Sequence, residues 1–484
     1  MSAIDWLSES VTDEMPAPPT GVTPEMLRRN PGMDTDTITV RPLGEVTADA
    51  VGLLPPARAG LPADLWGVAA SDRVLRLLRD IDIDALPAAT ELVYRVLLTE
   101  QTPPADLRDH GALLLTRIDK LLELGALDQA MALMEATPLR DPALFRRYFD
   151  AALLLGLEER ACATMRGLPA LAPTYPARVF CMVRNGDWGA AALTLRSAQA
   201  LDLVSENEAL LLERFLEPEL DDTEMQLPPA PESPSPLIWR IREAVGEPLP
   251  THNLPLAFAH ADLRAPAGWK AQIEAAERLT RSRALPPNRL LGLYTAQRPA
   301  ASGGVWDRAA TVQGLEAAIA EDDRARIAEL LPRLWELMTQ AELEVPLARL
   351  YGASLIPLTA EPARAYALRI GLLGDEFETL AHELPDDSAE MRFLNGLARG
   401  APEPEDAPSP MAAAIAEGFA GGSGAESVPA GSGVALLEAL AQLDDGARGD
   451  LRAVVGALAA LRELGFEDTA RRAALQMMIL DRRG

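Results

Sequence analysis

One turn recurs along this chain, and it constrains the fold more than any other feature. An apolar run ends in a glycine, and an alanine follows five positions later. The copies are Leu121-Leu-Glu-Leu-Gly125-Ala-Leu-Asp-Gln-Ala130, Ala152-Leu-Leu-Leu-Gly156-Leu-Glu-Glu-Arg-Ala161, Cys181-Met-Val-Arg-Asn-Gly186-Asp-Trp-Gly-Ala-Ala191 and Leu461-Arg-Glu-Leu-Gly465-Phe-Glu-Asp-Thr-Ala470. A glycine takes the left-handed backbone that ends a helix without a Cβ penalty. The acidic residues just after it (Asp128, Glu158, Asp187, Glu467) enter the start of the next helix, where the dipole favours them. The alanine falls where two antiparallel helices cross most closely. Helical hairpins repeated at a period of about 30 residues mark an α-solenoid. The expected fold is all-α: an α-solenoid of antiparallel hairpins with an extended, Pro-rich N-terminal strap.

Composition agrees with helix. Aromatics make up 5% of the 484 residues and hydrophobic residues 48%, which allows a packed core and excludes wholesale disorder. The net charge is −27, which argues against a sequence-independent grip on nucleic acid or on anionic lipid. Lys120 and Lys270 are the only lysines; an Arg bias of this kind fits a GC-rich bacterial genome. Cys162 and Cys181 are too few for a disulfide framework. They read as two small buried side chains, with a single bridge between neighbouring helices as the alternative.

Residues 1–60 read as extended or partly disordered, with one alternating run at 38–42 that suits an edge strand. The apolar stretch from Val51 to Trp66 is expected to lie along the folded body with Trp66 buried. Ser71-Asp72 is the expected N-cap of the first long helix. Helical repeats fill 61–216, an acidic Pro-rich linker 217–236, a second helical segment 237–399, a Pro/Gly/Ser-rich linker 400–433, and a closing hairpin 434–484. Within the second linker, Met411 to Phe419 suits a short helix.

The turn with its glycine, acidic residue and alanine resembles that of the tetratricopeptide family, most closely in Asn185-Gly-Asp-Trp-Gly-Ala-Ala191. The likeness covers residues 108–200 well and 446–481 loosely. The period is 30–31 rather than 34, and the prolines that close repeats in that family, here Pro138 and Pro169, come early, which predicts short second helices. The resemblance implies a scaffold whose concave face takes a peptide, a helix or a domain.

Motifs for chemistry are sparse. No phosphate-binding glycine loop follows a strand. His252, His260 and Asp262 lie close in sequence, but their spacing does not stack on one helix face and Pro255 interrupts it, so no metal site is expected. No catalytic residue and no cofactor is expected. The Ser8-Glu9-Ser10 triplet lacks a domain around it to serve as a lysozyme-type centre. Arg146-Arg147 and Arg482-Arg483 are small basic spots of ordinary surface character. Tryptophans 188, 239, 269, 306 and 335 fall on apolar helix faces and are expected in the core; an exposed one would mark a hot spot. The most unusual loop runs from Arg298 through Ser302, Gly303, Gly304 and Trp306 to Arg308. It is the first candidate for a partner contact, since a helix start flanked by arginines suits an anion.

The expected role is therefore a non-enzymatic scaffold that binds a basic protein partner on an acidic concave face. The alternative is a cell-envelope helical-repeat protein associated with peptidoglycan or envelope machinery. Neither nucleic-acid binding nor membrane insertion is expected. The compartment reads as cytoplasmic as written, or periplasmic if a signal has been removed.

Overall fold

A computed structural model describes Trp6 and residues 47–82, 85–217, 227–382, 388–421 and 427–480. The run at 38–42, the Ser8-Glu9-Ser10 triplet and Arg482-Arg483 lie outside the described residues. Among the described residues the protein is all-α; its only sheet-like feature is an isolated bridge between Leu54 and Thr99.

The helices before the first Pro-rich stretch are α1 (Pro56–Ala59), α2 (Ser71–Asp80), α3 (Pro87–Leu98), α4 (Ala112–Glu123), α5 (Leu127–Glu135), α6 (Pro142–Leu155), α7 (Glu158–Gly167), α8 (Tyr175–Arg184), α9 (Trp188–Ala200) and α10 (Glu206–Leu216). The middle holds α11 (Pro236–Ala244), α12 (Ala259–Asp262), α13 (Trp269–Arg281), α14 (Pro287–Tyr294), α15 (Val305–Ala320), α16 (Arg324–Gln340), α17 (Glu344–Tyr351), α18 (Arg364–Leu373), α19 (Phe377–Leu380) and α20 (Ala389–Ala398). The end is α21 (Pro410–Ala420), α22 (Gly433–Ala447), α23 (Leu451–Glu463) and α24 (Glu467–Ile479). From α3 to α11 each helix packs on the one before it in the chain.

The repeated turn has the geometry its residues demand. Gly125, Gly156, Gly186 and Gly465 have φ of 73°, 74°, 85° and 84°. In each turn the next residue's N–H reaches back five positions: Ala126 to Leu121, Leu157 to Ala152, Asp187 to Met182 and Phe466 to Leu461, at 2.7–2.8 Å. This is the paired closure that satisfies the last carbonyls of a helix. Ala130, Ala161, Ala191 and Ala470 are fully buried. The second helices α5 and α7 are short, at 9 and 10 residues.

The same closure operates in the middle segment without glycine. Asp322 and Glu342 take φ of 49° and 56° after α15 and α16, and Asp202 takes 53° after α9. Asp323 N–H reaches Ala318 O at 2.9 Å, and Leu343 N–H reaches Met338 O at 2.9 Å.

Three expectations need correction or completion. The cap of α2 is not Ser71, which lies inside the helix; its N–H is taken by the Asp106 carboxylate at 3.0 Å from 35 residues away. Trp188 is not in the core but 48% exposed, at the first residue of α9, one turn before the buried Ala191. Cys162 on α7 and Cys181 on α8 are buried and also bridged, with Cα atoms 5.0 Å apart.

The first helices and the last meet. Gly431 N–H bonds Asp64 O at 3.0 Å and Gly433 N–H bonds Leu65 O at 2.8 Å. A Cβ at Gly433 would lie 2.6 Å from the Trp66 ring, so glycine is required for this approach. Ala88 N–H, at the start of α3, is capped by Gln476 of α24 at 2.9 Å, and Ala85 N–H by Asp444 of α22 at 3.1 Å. Residues 47–66 are held to the first hairpins by buried charge. Arg117, fully buried, donates to Leu97 O, Val51 O and Thr99 O at 2.7–2.9 Å. Burial pushes its pKa down to about 10, which still leaves it charged at neutral pH. Asp49 accepts from Gly111, Leu113 and Leu114 N–H at the start of α4.

The two first-class turns separate conformation from packing. At Gly186 a Cβ meets nothing within 4 Å, whereas at Gly125 it would sit 2.9 Å from Leu256 Cγ. Gly186→Ala is expected to cost about 1 kcal/mol, the left-handed penalty alone. Gly125→Ala should cost clearly more, measured as chemical-denaturation stability of the two variants side by side.

Candidate interaction site

The loop singled out from the sequence does not act as a unit. Arg298, Ser302, Gly303 and Gly304 are exposed, with left-handed glycines at 303 and 304. Arg308 turns inward and grips the buried Glu277 with two bonds, Nε–Oε1 at 2.7 Å and Nη2–Oε2 at 2.5 Å. Tyr294 donates its hydroxyl to the same carboxylate at 2.7 Å. Burial alone would lower the Arg308 pKa, but the Glu277 bonds and charge outweigh it and hold the guanidinium above its ordinary value. Trp306 packs on Trp269 with ring centroids 5.1 Å apart. The helix start itself is served by Asp307, which accepts from Gly303 N–H at 2.8 Å. Arg308 and Trp306 thus anchor α15 to α13, and the anion-accepting position is filled from within.

His260 also has a structural partner. Its Nε2 donates to the carbonyl of Gly125 at 2.6 Å, so α12 is tied to the first repeat turn. Burial pushes the His260 pKa below its usual range, against the pull of this bond and of Asp128. Asp262 bonds Thr251 rather than converging on His260. Among the described residues no group of three or more His, Cys, Asp or Glu is placed to hold a metal ion, and no helix is long and apolar enough to cross a membrane. Arg147, one of the basic pair, is taken up by Asp119 at 2.5 and 2.7 Å.

An apolar surface lies elsewhere, on the α8–α9 hairpin. Trp188 is 48% exposed, Leu193 68% and Leu201 67%, with Leu203 and Leu168 also exposed nearby. On α9 the exposed positions are Trp188, Gly189, Ala190, Leu193, Arg196, Ser197 and Ala200; Arg196, the one charged residue in the helix, lies one turn after Leu193. The inner face of α9 is satisfied by Ala191, Leu195 and Ala198, which are buried. Sequence reasoning placed Trp188 in the core and passed over Leu193, Leu201 and Leu203. The available signal was a helix apolar on both sides, which is found buried or at an interface.

The chain matches no family model, no curated protein and no solved structure.

The burial of His260 carries a pH dependence. In the unfolded chain the imidazole takes a proton near its ordinary value of about 6.5, and in the folded chain only below that. The unfolded state therefore binds more protons as the pH falls, and stability present above about pH 6.5 is lost on acidification towards the lowered folded pKa. His260→Gln, which keeps an N–H donor, is expected to flatten the stability change between about pH 7 and 5, measured by denaturation across that range.

Proposed function

We propose that this protein is a non-enzymatic scaffold: a TPR-like α-solenoid, with its N-terminal segment laid along it as a strap, that captures an amphipathic helix with basic character. One observation carries this reading, the exposed large apolar side chains on and just after α9: Trp188, Leu193, Leu201 and Leu203. Among the described residues α9 packs on α8 and α10 through its buried face, and Leu193 is left exposed on the other side. Contiguous exposed apolar area on a folded protein marks an interaction surface. A helix laid into such a face would be read at i, i+3, i+4 and i+7 spacing. The −27 net charge supports the choice of partner, because an acidic body speeds capture of a basic segment at low salt. The exposed rim of the 298–308 loop, Arg298 and Ser302 to Gly304, stays available for a secondary contact.

The test is selection from a displayed library of helical peptides against the full chain. Expected winners are amphipathic with basic polar faces, and their binding is lost on Leu193→Asp. At 68% exposure Leu193 bears little on folding, so that variant should keep its stability to within about 0.5 kcal/mol. Winners without that character, or winners indifferent to Leu193→Asp, count against the proposal.

The Cys162–Cys181 bridge favours the second reading, a protein of the cell envelope. Disulfides persist in oxidising compartments, the bacterial periplasm among them. The bridge joins α7 to α8 and so ties the α8–α9 hairpin to the helix before it. Thiol trapping in cells that express the natural gene decides this point. Protection of both cysteines until reduction supports the envelope; two thiols free before reduction remove it.

A further inference from the structure

A second recess, distant in sequence from α9, lies where α3 and α5 face α13, α14 and α17. It has a volume of about 320 Å³ and is walled by Pro87, Leu285, Pro286, Pro287, Val345 and Pro346. Three guanidiniums line it: Arg281, Arg283 and Arg349.

Two of these lining residues hold backbone that long side chains rarely adopt. Arg283 has φ 66° after α13, and Glu342, also on the wall, has φ 56° after α16. Both stand where a helix usually closes on glycine.

Two guanidiniums share one carboxylate there. Arg283 and Arg349 converge on a single oxygen, Oε2 of Glu91, at 2.8 and 2.6 Å. Arg281 has Glu342 at 3.5 Å. Asp375, 3.8 Å from Arg349, is engaged more closely by Arg472, at 3.1 Å. Glu91 is thus the closest acidic partner of two guanidiniums at once. Arg283 stays protonated at neutral pH, although burial lowers its pKa to about 10. The wall also holds two polar atoms that are buried without a hydrogen-bond partner, the Thr280 hydroxyl and Gln129 Oε1. Buried polar groups without partners are rare, and a ligand or ordered water commonly explains them.

We propose that this recess binds a small molecule with one carboxylate on an apolar body, the carboxylate seated on Arg283 and Arg349 and the body against the proline wall. Arginine forks suit a planar carboxylate, and concave sites of this size lined by apolar groups with a few convergent polar ones are ligand sites. The inference stands apart from the α9 face and does not depend on it.

Calorimetry on the full chain with hexanoate, hexanamide and the tripeptide Gly-Gly-Leu tests it. Hexanoate should bind and hexanamide should not. Arg349→Gln should weaken hexanoate at least about tenfold. Glu91→Gln removes the competing carboxylate and should tighten it several-fold, a gain that loss of a merely structural ion pair would not produce. Arg298→Gln, in the exposed loop, should change nothing. Equal heats for hexanoate and hexanamide in both the parent and Glu91→Gln overturn the proposal. Binding of the tripeptide without hexanoate also overturns it, by assigning the recess to a chain end.

Discussion

Everything in this fold depends on reversing a helix within three residues while leaving no helix-end carbonyl without a donor. A helix buries one face only if its neighbour returns close beside it. The left-handed residue with its five-back hydrogen bond makes that return possible, and the buried alanine sets how near the returning helix comes. Where glycine holds the turn the reversal is unstrained. Where Asp322 or Glu342 holds it, the same bonds form and the backbone bears the strain.

Helices without sheets leave four terminal carbonyls each to be satisfied. Here long cationic side chains do much of this across elements. Arg117 covers Leu97 and Thr99 at the end of α3, and Lys120 covers Ile81 at the end of α2 at 2.8 Å. Arg462 covers Phe419 and Gly421 at the end of α21, and Arg281 covers Ala341 after α16. His260 does the same for Gly125. Each pairs a cation or N–H donor with the negative end of a neighbour's dipole. The arginine-rich composition, which a GC-rich genome is enough to explain, thus has a structural use: a guanidinium brings several donors to one place. These bonds join residues 18 to 135 positions apart, while Gln476 and Asp444, capping Ala88 and Ala85, close the first helices against the last.

The two candidate sites sit where this regular stacking is interrupted. The face of α9 stays open at one side of the α8–α9 hairpin. The recess at Arg283 and Arg349 forms where two left-handed charged residues face each other across α13 and α17. Both places carry features that packing alone would remove: an exposed tryptophan in one, shared arginines and unpartnered polar atoms in the other.

Much of the helical character could be read directly. The four glycine turns, their buried alanines and the short second helices follow from local sterics, which any chain with these residues must obey. The middle segment was less legible because its turns use Asp322 and Glu342, and a search for glycine passes over them. The cap of α2 was misread because its donor is met by Asp106, not by the adjacent Ser71. Trp188 was placed inside because an apolar residue on a helix does not say whether a neighbour exists to cover it. Arg308 and Trp306 looked like a contact site because sequence cannot show that Glu277 and Trp269 wait on α13. By itself the sequence determined where the glycine turns end and reverse helices, since those depend on the few residues at each turn. Only the tertiary structure decided which apolar faces are covered and which charges are shared, because both are set by residues that meet in space from distant parts of the chain.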